Sequence, residues 1–325
     1  MSRFLPAALL ISAFAAASNN AHPRDAASYP VRPLRLIAPT PPGSPPDLVA
    51  RVIGEKLAGT LGQPVIVDNR PGASATIGIA MVARAVADGY TLAAIGMPPL
   101  ALAPLFAQRP FDHERDLALV SMVAWNYNVL AIPASSPVKS VAQLIAAAKA
   151  RPGMLRYASG GNATPAHLAT ELLKREARVD ILHVPYKGAA AGVTAMIAGE
   201  VDLMIAAVGA VSPQVKAGRL RAIATSAPHR IAAHPDLPTF TELGFPGVRL
   251  SDLQGIAAPA GTPRGIVSLL HAAIAKATAT SEVRERLAAL GIEVASAGPE
   301  SFAEHVRSEL RMWSKAIQDA GIKVE

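Results

Sequence analysis

Leu34-Arg35-Leu36-Ile37-Ala38, then Thr40-Pro41-Pro42-Gly43-Ser44-Pro45-Pro46, then the run from Asp47 to Leu61 decide the fold class. The first stretch is a short apolar run that suits a strand, and the second is rich in turn residues. The third places Leu48, Val52 and Leu57 at helical spacing. Asp47 falls where the first turn of a helix favours a carboxylate. Gly62-Gln63 ends the helix and Pro64-Val65-Ile66-Val67 reads as the next strand.

The same unit recurs. Asn69 to Thr76 reads as a loop, Ile77 to Ala87 as a helix, Asp88-Gly89 as a turn and Tyr90 to Ile95 as a strand. Leu155 to Ala158 reads as a strand, Ser159 to Thr164 as a loop and Pro165 to Glu176 as a helix. Thr164-Pro165 fits an N-cap followed by the proline that the first helical position tolerates. Asp180 to Val184 then reads as a strand, Pro185 to Gly188 as a loop, Ala189 to Ala198 as a helix and Val201 to Ala206 as a strand. Strand, loop and helix in alternation predict an α/β fold with parallel sheets covered by helices.

Small and turn-forming residues stand at the same structural point in four of these units. Ligands of open parallel sheets bind beyond the carboxyl ends of strands, and helix N-termini there offer N–H groups to an anion. The candidate ligand contacts are therefore Pro42, Gly43, Ser44 and Asp47; Gly72, Ala73, Ser74 and Thr76; Gly160, Gly161, Asn162 and Thr164, with His167 on the helix beyond; and Tyr186, Lys187 and Gly188. Each loop alone has a purely structural reading, because turns select the same residues. Tyr186 and Lys187 keep two readings each: pocket wall and anion attractor, or packing and solvent-facing charge.

Composition removes several function classes. The chain has 325 residues and no cysteine, which excludes disulfides, thiolate metal sites and a cysteine nucleophile. Its formal charge of +7 comes from scattered cations with no dense basic run, which argues against nucleic acid. Eight histidines occur, but no helical zinc motif, nucleophile elbow, phosphate loop or dinucleotide fingerprint accompanies them. Ser159 and His167 are close in sequence, with helix cap and helix face as their structural roles. A protein that is not an enzyme, with no cofactor and no metal, is the expectation.

The N-terminus carries Arg3, an apolar run from Phe4 to Phe14 and then Ala15-Ala16-Ala17, the pattern of a secretory signal. That run is shorter than the roughly 20 residues that span a bilayer. Export to the periplasm with cleavage of the signal is expected, residues 1–27 forming signal and leader.

Beyond these elements, the chain resembles the Bug/TctC family of extracytoplasmic solute-binding receptors associated with tripartite tricarboxylate transporters. The resemblance rests on Tyr29-Pro30-Val31-Arg32-Pro33-Leu34, the loop from Pro41 into Arg51, Val67-Asp68-Asn69-Arg70-Pro71-Gly72-Ala73 and Ala87-Asp88-Gly89-Tyr90-Thr91-Leu92. It continues in His183-Val184-Pro185-Tyr186-Lys187-Gly188, Gly199-Glu200-Val201-Asp202, the run from Pro238 to Gly244 and Ala258-Pro259-Ala260-Gly261-Thr262-Pro263. It implies a two-lobed periplasmic-binding-protein fold of type II, with a cleft that closes on a small carboxylate. Lobe 1 would comprise residues 28–128 plus 250–325, and lobe 2 residues 129–249. Backbone amides, Ser/Thr hydroxyls and bridging waters would hold the ligand, and membrane permease subunits would receive it from a monomeric receptor. A periplasmic sensor that passes occupancy to a signalling partner stays open as an alternative, with a hydrolase behind it. Two positions depart from the family pattern: Ser44, where a second glycine is usual, and Leu253, where an aromatic is common.

Overall fold

The computed structural model describes residues 28–105, 110–162, 164–249, 251–319 and 321; the export signal read in the sequence lies outside them. In chain order, β1 (Leu34–Ala38) leads into α1 (Pro45–Leu61), β2 (Val65–Asn69) into α2 (Thr76–Ala83), and β3 (Thr91–Gly96) into α3 (Met97–Leu102). The short α4 (His113–Asp116) precedes the long β4 (Leu117–Asn126). There follow β5 (Asn128–Pro133), α5 (Val141–Ala150), β6 (Arg156–Ser159), α6 (Pro165–Ala177), β7 (Leu182–Pro185), α7 (Ala189–Ile197), β8 (Leu203–Ala207), α8 (Val208–Lys216) and β9 (Leu220–Thr225). The chain closes with β10 (Asp252–Pro259), α9 (Arg264–Ala279), α10 (Ser281–Ala289), β11 (Ile292–Ala297) and α11 (Pro299–Asp319).

Two sheets result. The first has the order β11-β4-β10-β3-β1-β2 and the second β7-β6-β8-β5-β9. The fold is α/β and two-lobed, but neither sheet is wholly parallel. In the first, β10 runs antiparallel to both β3 and β4; in the second, β5 runs antiparallel to β8 and β9. Apolar runs buried on both faces read alike in either direction, so the sequence pattern does not carry strand polarity. Each lobe keeps a parallel half, β2-β1-β3 and β7-β6-β8, where the strand–loop–helix units lie.

Local chemistry sets the boundaries. α1 ends at Gly62, whose left-handed φ of 69° lets its N–H reach the Ala58 carbonyl at 3.0 Å. α2 stops at Ala83 rather than at Ala87, because the chain turns through Ala85 and Asp88 to reach β3. Leu34, Leu36, Leu92, Ala94 and Ile256 pack against Val49, Val52, Ile53 and Leu57 of α1 and Ile266 and Leu270 of α9. The opposite face of this sheet buries Ile37, Ala93 and Ile95 against Ile79, Leu100, Phe302 and Trp313. Leu48, expected on the buried stripe of α1, is only half-buried.

Candidate ligand-binding cleft

Strand registers fix where the two lobes face each other. Asn126 pairs with Asp252 and Gly96 with Gln254, so β4 and β3 end at one edge of the first sheet; β1 and β2, parallel to β3, end there too. The chain then passes through one buried residue, Tyr127, into β5. Asn128 pairs with Ala207, so β5 starts where β8 ends, and β6 and β7 run parallel to β8. The parallel strands of both sheets therefore point their carboxyl ends at the same crossing, and their loops open onto it.

In the first lobe the loops before α1 and α2 are tied together. Asp47, 1% exposed, accepts from Gly43 N at 2.8 Å and Asn69 Nδ2 at 2.8 Å and pairs with Arg51 at 2.9 Å. Asn69 Nδ2 also reaches the Thr40 carbonyl at 3.0 Å. Burial pushes the Asp47 carboxyl up, but the bonds from Arg51, Gly43 and Asn69 outweigh it and hold the group below the usual aspartate range. Asp47 thus braces the loop from within. Ser44 Oγ lies 2.6 Å from the Pro41 carbonyl and 2.5 Å from Thr40 Oγ1. A carbonyl can only accept, so the Ser44 proton goes to Pro41 and Thr40 donates to Ser44. Pro45 and Pro46 remove two of the N–H groups that the start of α1 would offer an anion, which weakens the expected helix-terminus site there.

The second loop has an unusual backbone. Ala73, Ser74 and Ala75 take φ of 43°, 51° and 74° in succession, a left-handed turn made without glycine. Thr76 Oγ1 donates to the Ala73 carbonyl at 2.7 Å and closes that turn. Gly72 precedes it with φ 133°, and a Cβ there would come within 2.6 Å of Ile77. Ser74 is half-buried at the head of the turn.

In the second lobe the loops after β6 and β7 interlock. Tyr186 N donates to the Ser159 carbonyl at 3.0 Å and Gly188 N to the Gly160 carbonyl at 3.2 Å. A Cβ on Gly160 would lie 3.1 Å from Ala189 N, so glycine is what lets the loops touch. Gly161 N donates to Ser159 Oγ, and Thr164 Oγ1 donates to the Gly161 carbonyl at 2.7 Å rather than capping α6. Asn162 and Lys187 are exposed; the Tyr186 hydroxyl reaches Glu200 at 3.2 Å.

The partner of Ser159 is His183, with Nε2 2.7 Å from Oγ, and not His167. The three rings of Tyr157, His183 and His167 stack, with centroids 4.7 Å and 4.2 Å apart along the pile. Burial, with the neighbouring His167, pushes His183 down to about 4; burial also lowers His167. Glu171, the carboxylate that could orient a base here, is engaged by Tyr157 at 2.5 Å and Lys174 at 2.8 Å. The pair positions the loop. No sequence spacing announces a contact between residues 24 positions apart.

At the crossing, Asn126, Asn128, Asp252 and Gln254 are all buried. Asp252 Oδ1 accepts from Met97 N at 2.8 Å, and burial pushes its carboxyl up to about 7 against the pull of that bond. Leu253 lies on the opposite face, fully buried in the core that contains Phe302. Among the described residues no group of three or more His, Asp or Glu side chains could hold a metal ion, and no helix is long and apolar enough to cross a membrane.

Two α/β lobes that present loops to a shared crossing define a solute-binding protein of the periplasmic type. A sequence profile described as tripartite tricarboxylate transporter family receptor matches residues 49–322, and the chain belongs to that family. It is 36% identical to protein BugT of Bordetella pertussis over 318 residues, 97% of this chain and 98% of BugT. The structure of Rpa4515 of Rhodopseudomonas palustris with adipate superposes with a TM-score of 0.85 at 33% identity, covering 91% of this chain and 99% of that one. MatC from the same organism, with bound malate, gives 0.80 at 31% identity, covering 89% and 100%. Members of this family are substrate-binding receptors of the periplasm rather than enzymes.

Proposed function

We propose that this receptor captures a small carboxylate between its lobes and delivers it to the membrane permease subunits of a tripartite transporter. The observation that carries the reading is the convergence of four glycine- and hydroxyl-bearing loops on one crossing. Relatives of the same fold with adipate and with malate support the choice of ligand class. Lobe 1 is assigned to residues 28–128 plus 250–325 and lobe 2 to 129–249. The protein works as a monomer in the periplasm after removal of its N-terminal signal.

Within the site, Ser74, Asn162 and Lys187, with backbone groups around Pro42, Gly43, Gly72, Ala73, Gly160, Gly161 and Gly188, are the proposed ligand contacts. Asp47, Ser44, Thr76, Thr164 and His167 hold those groups in position, and Tyr186 walls the mouth of the cleft. Thermal melting of the purified protein with a panel of small carboxylates tests the reading. A ligand at 100 times its Kd stabilises the protein by about 2.7 kcal/mol, with no chemical conversion of the ligand. A panel without any shift would count against carboxylate capture.

A further inference from the structure

Buried polar atoms in folded proteins are nearly always paired. At the crossing three are not: Asn126 Oδ1, Gln254 Oε1 and Asn128 Nδ2 have no hydrogen-bond partner among the described residues. Asn126 and Asn128 are each 3% exposed and Gln254 is wholly buried, so bulk water does not substitute for the missing partners.

The two oxygens, of Asn126 and Gln254, lie on one face at the end of the first sheet. Asn126 ends β4 directly opposite Asp252, and Gln254 is two residues further along β10, on the same face. Gly96, at the end of β3, closes the group: a Cβ there would come within 3.0 Å of Asp252 Oδ1 and 3.1 Å of Gln254 Nε2. Ile256 and Ala258 continue the same alternation into the core covered by α1, which packs on both β3 and β10. The polar group therefore sits on the α1 side of the sheet, at the carboxyl edge where the Thr40–Ser44 loop enters that helix. The Asp252 carboxylate does not relieve the amide oxygens, because it too can only accept, as its Oδ1 does from Met97 N. Two amide oxygens thus remain as acceptors beside the proposed carboxylate-binding loops, and Asn128 adds one donor two residues on.

We infer that Asn126 and Gln254, steadied by Asp252, read a hydrogen-bond donor on the ligand's carbon chain, so that the solute is a hydroxy- or amino-substituted carboxylate. An ammonium group satisfies both oxygens, whereas a hydroxyl, with one proton, satisfies one of them. An unsubstituted methylene leaves the same oxygens desolvated and unpaired, the situation in which a polar site discriminates most strongly. The inference rests on the carboxylate-receptor reading and narrows it.

Titration calorimetry of the full chain with matched sets decides it: propionate, lactate and alanine; succinate, malate and aspartate; glutarate, 2-hydroxyglutarate and glutamate; adipate with its 2-hydroxy and 2-amino forms. In the set that binds, a substituted member should bind at least about tenfold tighter than its parent acid. The hydroxy and amino arms show which donor is read. Gln254→Leu and Asn126→Leu should each bring that ratio towards one while the parent acid binds as before. The empty Gln254→Leu protein should melt within about 1 kcal/mol of the parent, since an amide whose oxygen is buried unpaired and whose nitrogen makes one long bond to Asp252 is exchanged for an apolar group of similar size. Parent acids that bind as tightly as their substituted forms would overturn the inference and leave the carboxylate reading intact, as would variants that keep the preference. A panel in which nothing binds would overturn both.

Discussion

Ser44 and Asp47 show how far a residue's identity differs from its role. Both stand in the loop a ligand would meet, and both are turned inward by specific partners. Ser44→Ala removes two internal bonds, to Pro41 and from Thr40, so the melting temperature should drop by the equivalent of about 1–3 kcal/mol while ligand affinity changes by less than about threefold. A larger loss of affinity in titration would show that the hydroxyl swings to the ligand. Ala75 is held at φ 74°, a conformation that disfavours a Cβ. Ala75→Gly should therefore stabilise the protein by about 1 kcal/mol in denaturant unfolding. The loop positions were legible in the sequence because turn residues mark them. The inward bonds were not, because Asn69 and Asp47 meet only after β1 and β2 pair side by side. The His183 contact with Ser159 escaped for the same reason: strand pairing, rather than spacing along the chain, creates it.

Among the elements, β1 and α6 follow almost directly from periodicity and punctuation, since a short apolar run and a Thr-Pro start leave few alternatives. The direction of β10 did not, because all eight of its residues are buried and no alternation marks a face. Asp252 and Gln254 inside that strand were the available signal for a polar floor: a carboxylate and an amide in an otherwise apolar run need a reason. At the start of α1, Asp47 links the helix to both Gly43 and Asn69. Asp47→Ala leaves Gly43 N without an acceptor and removes one of two partners each from Asn69 and Arg51, and should destabilise the fold by about 2–3 kcal/mol, with protease cleavage appearing first in the 40–47 loop. Limited proteolysis followed by mass spectrometry checks the order of events.

For the molecule as a whole, stability should vary with pH through groups of opposite sign. Burial raises Asp252 and Glu309 to about 7, so the folded state binds protons that the unfolded chain, titrating near 4, has lost. Their contribution is complete below pH 4 and declines as pH rises towards 7. His183 acts the other way: lowered to about 4, it withdraws stability as pH falls from 6.5 to 4. Asp252→Asn should therefore melt above the parent at pH 8 and level with it at pH 4, and melting curves across that range check the sign. The position of β10 has one more consequence, in the order of events as the chain is made. That strand lies between β3 and β4, yet it follows both by more than a hundred residues, whereas the second sheet is complete by Thr225. A nascent chain can thus close its second lobe while the first still lacks its central strand, and long-range pairings of this kind form slowly. A chain cut after residue 245 should protect 128–225 from protease and lose 34–126. Such a delay keeps residues 34–126 threadable, which would suit the export proposed above, in which the chain passes through a narrow pore before it takes its final shape.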